Sequence, residues 1–229
     1  MGSLSSGPGP FAVTAPTLPS ATVAHDPAPP VLVATSDGER LVADLAVPTD
    51  AVGGAVICHP HPRFGGDRTV PQVEALVAAI VGAGRAALRF DFRGVGRSTG
   101  AFGGGIDERR DATAALDRLA DEVDGPLWLV GCSFGADVAL SVDHPRLAGW
   151  VAVAPPLTVV ADDPPAGADD RPTLVLSPVH DQFRPPASAR AMVAGWTATT
   201  VEEIAMADHL LAGRLDAVAA RVVAAITTG

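Results

Sequence analysis

From residue 31 onward the chain alternates two hydrophobic rhythms. Short continuous apolar runs read as strands, and they are separated by longer stretches whose apolar residues return every three or four positions, the spacing of a helix with one buried face. The opening runs, 31–35 and 41–47, flank Ser36-Asp37-Gly38, whose turn chemistry predicts a hairpin. The run 55–58 is apolar throughout, as suits a parallel strand covered on both faces, and 86–92, 127–130, 150–154 and 173–177 read as further inner strands. A last strand is expected over 200–206.

Helices are expected in the gaps. Thr69 can cap one whose first turn holds Pro71 and whose Val73, Leu76, Val77 and Ile80 share a face. Asp107 or a neighbour opens another, with Ala112, Ala115, Leu116, Leu119 and Val123 inward. Shorter ones are expected over 136–142 and 187–194. The last carries Leu211, Leu215, Val218, Val222 and Ile226 on one side. A hairpin followed by alternating strands and helices predicts an α/β fold with a mostly parallel sheet.

Composition narrows the picture. The 229 residues suffice for one large domain over 31–229. Residues 1–30 are rich in Ser, Pro, Ala and Gly without periodicity and read as a disordered tail. No apolar run approaches a membrane span. The formal net charge of -10 argues against nucleic acid or an anionic membrane as partner. Cys58 and Cys132 belong to no C-x-x-C pair, so they read as buried thiols of a cytoplasmic protein, bridged only if their strands are neighbours.

The chemistry centres on Gly131-Cys132-Ser133-Phe134-Gly135, a G-x-S-x-G between a strand and a helix. A turn that sharp strains the serine backbone and brings strand and helix so close that Gly131 and Gly135 must lack side chains. The Phe134 N–H then points where an oxyanion would form. A serine hydroxyl needs a base, and the base an orienting acid. Of His59, His61, His144, His180 and His209, the last is favoured because it follows the final strand. Asp181 ends a buried strand and is favoured as acid over Asp162, Asp163 and Asp208. In His59-Pro60-His61-Pro62 the prolines have no N–H, so His61 is the expected second oxyanion donor, with Phe64 in reserve. His59 is read as a ring bracing that loop. A His59/His61 metal pair lacks a third ligand. Asp91 and Arg93, in Asp91-Phe92-Arg93-Gly94, are read as building a tight loop by pairing with each other. Gly94 and Gly96 do not form a G-x-G-x-x-G, so nucleotide binding is unsupported. Ser133, His59, Asp91, Asp181 and His209 all fall just past expected strand ends, where such sheets place their chemistry.

The chain resembles the α/β-hydrolase superfamily, and more narrowly the small bacterial predicted α/β hydrolases and dienelactone-hydrolase-like proteins. The resemblance rests on His59-Pro60-His61-Pro62 with Gly65-Gly66, on Arg89 through Ser98, on Gly131 through Ala136, on Ala207-Asp208-His209, and on the order Ser, Asp, His. It implies an eight-stranded sheet with helices on both faces, Ser133, Asp181 and His209 as a triad, and neighbouring strands ending at Cys58 and Cys132. It differs from dienelactone hydrolases proper in having serine where they have cysteine. The segment 157–171 is short and Pro-rich, so at most a minimal lid is expected.

The expected function is a serine hydrolase acting on a small ester or thioester through an acyl-enzyme, with no cofactor or metal and a small-molecule acyl substrate as partner. The rivals are acyl transfer, cyclisation or elimination by the same residues, and a binding protein without turnover.

Overall fold

The computed structural model describes residues 29–228, so the expected tail lies almost wholly outside the described residues. The hairpin is β1 (Val31–Ala34) and β2 (Arg40–Ala46), paired antiparallel. Then come β3 (Gly54–Cys58), α1 (Pro71–Gly82), β4 (Ala86–Phe90), α2 (Glu108–Ala120), β5 (Leu127–Cys132), α3 (Phe134–Leu140) and β6 (Leu147–Val153). The chain closes with α4 (Pro165–Ala168), β7 (Thr173–Pro178), α5 (Pro186–Met192), β8 (Thr199–Ile204) and α6 (Leu215–Thr228).

The eight strands form one sheet in the order β1-β2-β4-β3-β5-β6-β7-β8. It is parallel from β4 to β8, and β2 joins β4 antiparallel. Strands β3, β5 and β7 are buried along their whole length because helices cover both faces. Val56, Leu129, Trp150 and Val175 pack toward α2, α3 and α5, whereas Ile57, Val130, Val151 and Leu174 pack toward α1 and α6. The order reverses between β3 and β5: from β3 the chain steps to β4, then crosses back over β3 to β5. Ligand clefts open at such a reversal, outside the carboxyl ends of the strands.

Several local expectations are corrected. Thr69 does not cap α1. Its N–H and hydroxyl both donate to Asp67 Oδ1 (2.7 Å each), and Val70 takes the cap position without a side-chain bond. Phe92 lies beyond β4, and Leu211 is buried in the loop before α6 rather than on its face. The segment 157–171, read as all loop, contains the single turn α4, and among the described residues no lid domain covers the sheet end. The strands ending at Cys58 and Cys132 are neighbours, but Cys58 sits opposite Gly131. The two thiols therefore point to opposite faces of the sheet and are free.

Candidate active site

Strand β5 passes into α3 through one residue. Ser133 takes φ 52° and ψ -121°, a conformation that costs a non-glycine residue about 1–3 kcal/mol and persists only when its surroundings enforce it. They do: the Ser133 N–H donates to the Val153 carbonyl (2.9 Å), and its own carbonyl accepts from Ala136 N–H (2.8 Å). The flanking glycines are required by contact. A Cβ on Gly131 would lie 2.2 Å from the Gly135 carbonyl oxygen, and one on Gly135 would lie 2.4 Å from the carbonyl oxygens of both Cys58 and His59. The second approach locks the end of β3 against the start of α3.

Three distant segments meet at the hydroxyl. Ser133 Oγ is 2.8 Å from His209 Nε2, and His209 Nδ1 is 2.8 Å from Asp181 Oδ2. A carboxylate there assigns the imidazole proton to Nδ1, leaving Nε2 to accept from the serine hydroxyl. Burial works to raise the Asp181 pKa, but hydrogen bonds from His209 and from the N–H groups of Phe183 (2.8 Å) and Arg184 (3.1 Å) outweigh it and hold the carboxyl below its ordinary range. It is ionised at neutral pH. The loop carrying His209 is pinned at several points. His180 N–H donates to Ala207 O (2.9 Å), Asp208 Oδ1 accepts from Leu210 and Ala212 N–H, and Gln72 Nε2 on α1 donates to Leu210 O (3.1 Å). The other candidates stand apart. His180, Asp162 and Asp163 are exposed, and His144 bonds Asp117 (3.2 Å).

On the opposite side of Ser133 runs the loop after β3. His59 is fully buried; its Nδ1–H donates to Pro60 O (2.6 Å) and its Nε2 accepts Phe92 N–H (3.1 Å), so it braces the loop as a neutral ring. Burial lowers its pKa to about 4. The reserve donor is spent, because Phe64 N–H bonds His61 O (3.0 Å). Among the described residues, the N–H groups of His61 and Phe134 have no protein acceptor, and the two rings lie 4.9 Å apart. Burial and the Arg63 charge lower the His61 pKa, so this ring too is neutral.

Asp91 and Arg93 are both buried, but they do not pair with each other. Asp91 binds Arg68 (2.5 Å), and Arg93 binds Asp111 (2.7 Å) and Asp37 (2.9 Å). Both lie beyond β4, where the chain leaves the sheet and turns at Arg93-Gly94, so the two side chains are not held on one strand face and each meets its counter-ion in a different segment. Besides Asp111, the partner of Arg93, two more buried carboxylates were not foreseen from the sequence. Asp137 accepts N–H bonds from Leu157 (2.8 Å), Thr158 (2.7 Å) and Val159 (3.1 Å), fixing the loop after β6 to α3. Glu108 accepts from Gly103 and Gly105 N–H (2.7 Å each). A lone aspartate in the apolar run 136–142 was the available signal for the first; nothing marked the second.

Beside Ser133 and His209 lies a cavity of about 50 Å³, walled by Pro60, Gln72, Val153, Ala154, Leu210 and Leu211. Among the described residues no cluster of His, Cys, Asp or Glu could hold a metal ion, and no helix is long and apolar enough to cross a membrane.

Comparison with known proteins agrees with this architecture. Residues 56–214 match the model of the family described as serine aminopeptidase, S33. An α/β serine hydrolase homologue from Coxiella burnetii superposes with a TM-score of 0.76 at 28% identity, covering 85% of this chain and 95% of that one. XC6422 of Xanthomonas campestris, an α/β serine hydrolase without lid, gives a TM-score of 0.77 at 23% identity, with 93% and 97% covered. The uncharacterized protein RP471 of Rickettsia prowazekii (strain Madrid E) is 34% identical over 110 residues, 46% of each chain, so the match spans less than half the length of that curated relative. Sheet order, strand-end site and family match converge: the chain belongs to the serine aminopeptidase S33 family of the α/β-hydrolase superfamily.

Proposed function

We propose that the protein is a serine hydrolase that cleaves a small ester or thioester. The observation that carries this reading is the continuous path Ser133 Oγ, His209 Nε2, His209 Nδ1, Asp181 Oδ2, with both links at 2.8 Å. In the reading, His209 takes the hydroxyl proton as Ser133 Oγ bonds to the acyl carbon. The N–H groups of Phe134 and His61 stabilise the oxyanion. His209 then returns the proton to the departing oxygen or sulfur as its bond to carbon breaks. Water, deprotonated by His209, releases the acid and restores Ser133. Asp181 keeps the imidazole in the required tautomer.

The family's description names an aminopeptidase, and holding a peptide's α-ammonium calls for an unengaged carboxylate at the mouth. Of the carboxylates near the site, Asp181 accepts from Phe183 and Arg184 N–H, Glu108 at the start of α2 accepts from Gly103 and Gly105 N–H, and Asp208 Oδ1 accepts from Leu210 and Ala212 N–H. That favours an uncharged acyl substrate over a peptide amine.

The test is labelling by a fluorophosphonate probe together with turnover of p-nitrophenyl acetate. Wild type is expected to label and to hydrolyse the ester. Ser133→Ala is expected to lose labelling and roughly 10⁴-fold or more in kcat. A folded wild-type protein that neither labels nor turns over would overturn the reading.

A further inference from the structure

The chain has seven phenylalanines and no tyrosine. Those of the core, Phe90, Phe92 and Phe134, are buried. Among the described phenylalanines only Phe64 (86% exposed) and Phe183 (59% exposed) stand in solvent. Both belong to loops that follow strand ends at the candidate site. Phe64 follows β3 and packs on His61 (ring centroids 4.8 Å apart), whereas Phe183 follows β7 and packs edge-on against His209 (4.6 Å). In the sheet order β3 and β7 lie on opposite sides of β5, so the two rings form opposite lips around Ser133.

We propose that Phe183, with Leu210, forms the leaving-group subsite, and that the natural substrate carries a flat apolar, aryl-type leaving group. The inference rests on the hydrolase reading above. His209 must hand its proton to the departing atom, so the leaving group has to lie against His209. The Phe183 ring packs against His209 and the next residue, Leu210, is exposed; the polar Gln72 that shares the cavity has its amide bound to the Leu210 carbonyl. The cation on the same loop offers no alternative anchor, since the Arg184 guanidinium is bound to the Pro156 carbonyl (2.8 Å) and Ser188 Oγ (2.9 Å). Nor does Asp208, whose Oδ1 caps its own loop. Phe183 is also set in place beforehand. Its N–H donates to Asp181 Oδ1, so the carboxylate that orients His209 also orients the apolar wall beside it. The cavity of about 50 Å³ beside Ser133 is open on one side and too small to take up an aryl group whole, which leaves the exposed wall of Phe183 and Leu210 to hold it. Aromatic pairs favour offset-stacked or edge-to-face contact, which the exposed Phe183 ring can offer an aryl group.

The test compares 2-naphthyl acetate with trifluoroethyl acetate, which share an acyl group and differ in leaving group. The readout is the ratio of their kcat/KM values in wild type, Phe183→Ala, Phe183→Leu and Phe64→Ala, with thermal unfolding to check that each variant is folded. Phe183→Ala is expected to lower the naphthyl preference about five- to tenfold, mainly through KM. Phe183→Leu should fall between, and Phe64→Ala should leave the ratio as in wild type. Equal loss on both esters in Phe183→Ala would mean that the ring acts only through His209, and would overturn the subsite. An equal shift of the ratio in Phe64→Ala would overturn its placement on the His209 side. An unaltered ratio in Phe183→Ala, with turnover still dependent on Ser133, would overturn the subsite and leave the hydrolase reading intact. Turnover independent of Ser133 would overturn both.

Discussion

Gly135 joins the fold to the chemistry, and replacing it with alanine tests that link. The added methyl carbon would sit 2.4 Å from the carbonyl oxygens of Cys58 and His59, where ordinary contact begins near 3.4 Å. Both oxygens belong to backbone at the end of β3, so no side chain can swing aside. The strand end must withdraw by about 1 Å, or α3 must shift as far the other way. His61 lies two residues beyond His59, and Pro60 and Pro62 stiffen the connection, so its N–H moves with the strand. A misplacement of about 1 Å costs on the order of 10²-fold in rate, and losing an oxyanion donor altogether costs about 10²–10³-fold. Gly135→Ala is therefore expected to lower kcat on p-nitrophenyl acetate by about 10²-fold with little change in KM, and to destabilise the fold by about 1–3 kcal/mol in urea titration. Gly195→Ala is the control, because nothing lies within 4 Å of its added carbon. Wild-type kcat in Gly135→Ala would refute the assignment of the β3 loop to oxyanion stabilisation.

Three further outcomes follow from the same geometry. Asp181→Asn keeps the shape but removes the charge that selects the Nδ1–H tautomer, and kcat should fall on the order of 10⁴-fold, measured by the same ester assay. His59 is held neutral with a pKa of about 4, against 6.5 when exposed. The unfolded chain therefore binds a proton that the folded one refuses, and the stability is complete above pH 6.5 and lost progressively as pH falls toward 4, by up to about 3 kcal/mol. His59→Gln, which does not titrate, should flatten that slope in urea midpoints measured across pH 4–7; an unchanged slope would count against the buried neutral ring. Arg93→Ala would strand the fully buried Asp111 carboxylate without its partner and should cost about 3–5 kcal/mol in urea unfolding.

The sheet was legible because β3, β5 and β7 are dominated by apolar residues and turn residues separate them from helical stretches. The meeting of Ser133, His209 and Asp181 was legible because each follows a strand end, and parallel strands deliver their ends to one edge. Interactions between remote segments were not legible. Arg93 finds Asp37 fifty-six positions away, and Arg68 finds Asp91 twenty-three away. The spacing of Asp91 and Arg93 suggested a mutual pair because residues two apart share a face of a strand, but β4 ends at Phe90 and the chain turns at Arg93-Gly94. Gln72 looked like any polar residue in the first turn of a helix, and only the path of the loop before α6 shows that it holds the Leu210 carbonyl. Thr69 had the right chemistry for a cap, but the preceding Asp67 competes for it.

The sulfur next to the nucleophile has an experimental consequence. Cys132 precedes Ser133 and borders the same cavity, yet burial raises its thiol pKa to about 12. Near neutral pH it has almost no thiolate to offer. It cannot stand in when the serine hydroxyl is removed. Whatever turnover survives in the alanine variant would therefore measure what the backbone donors and bound water accomplish alone, free of a substitute nucleophile.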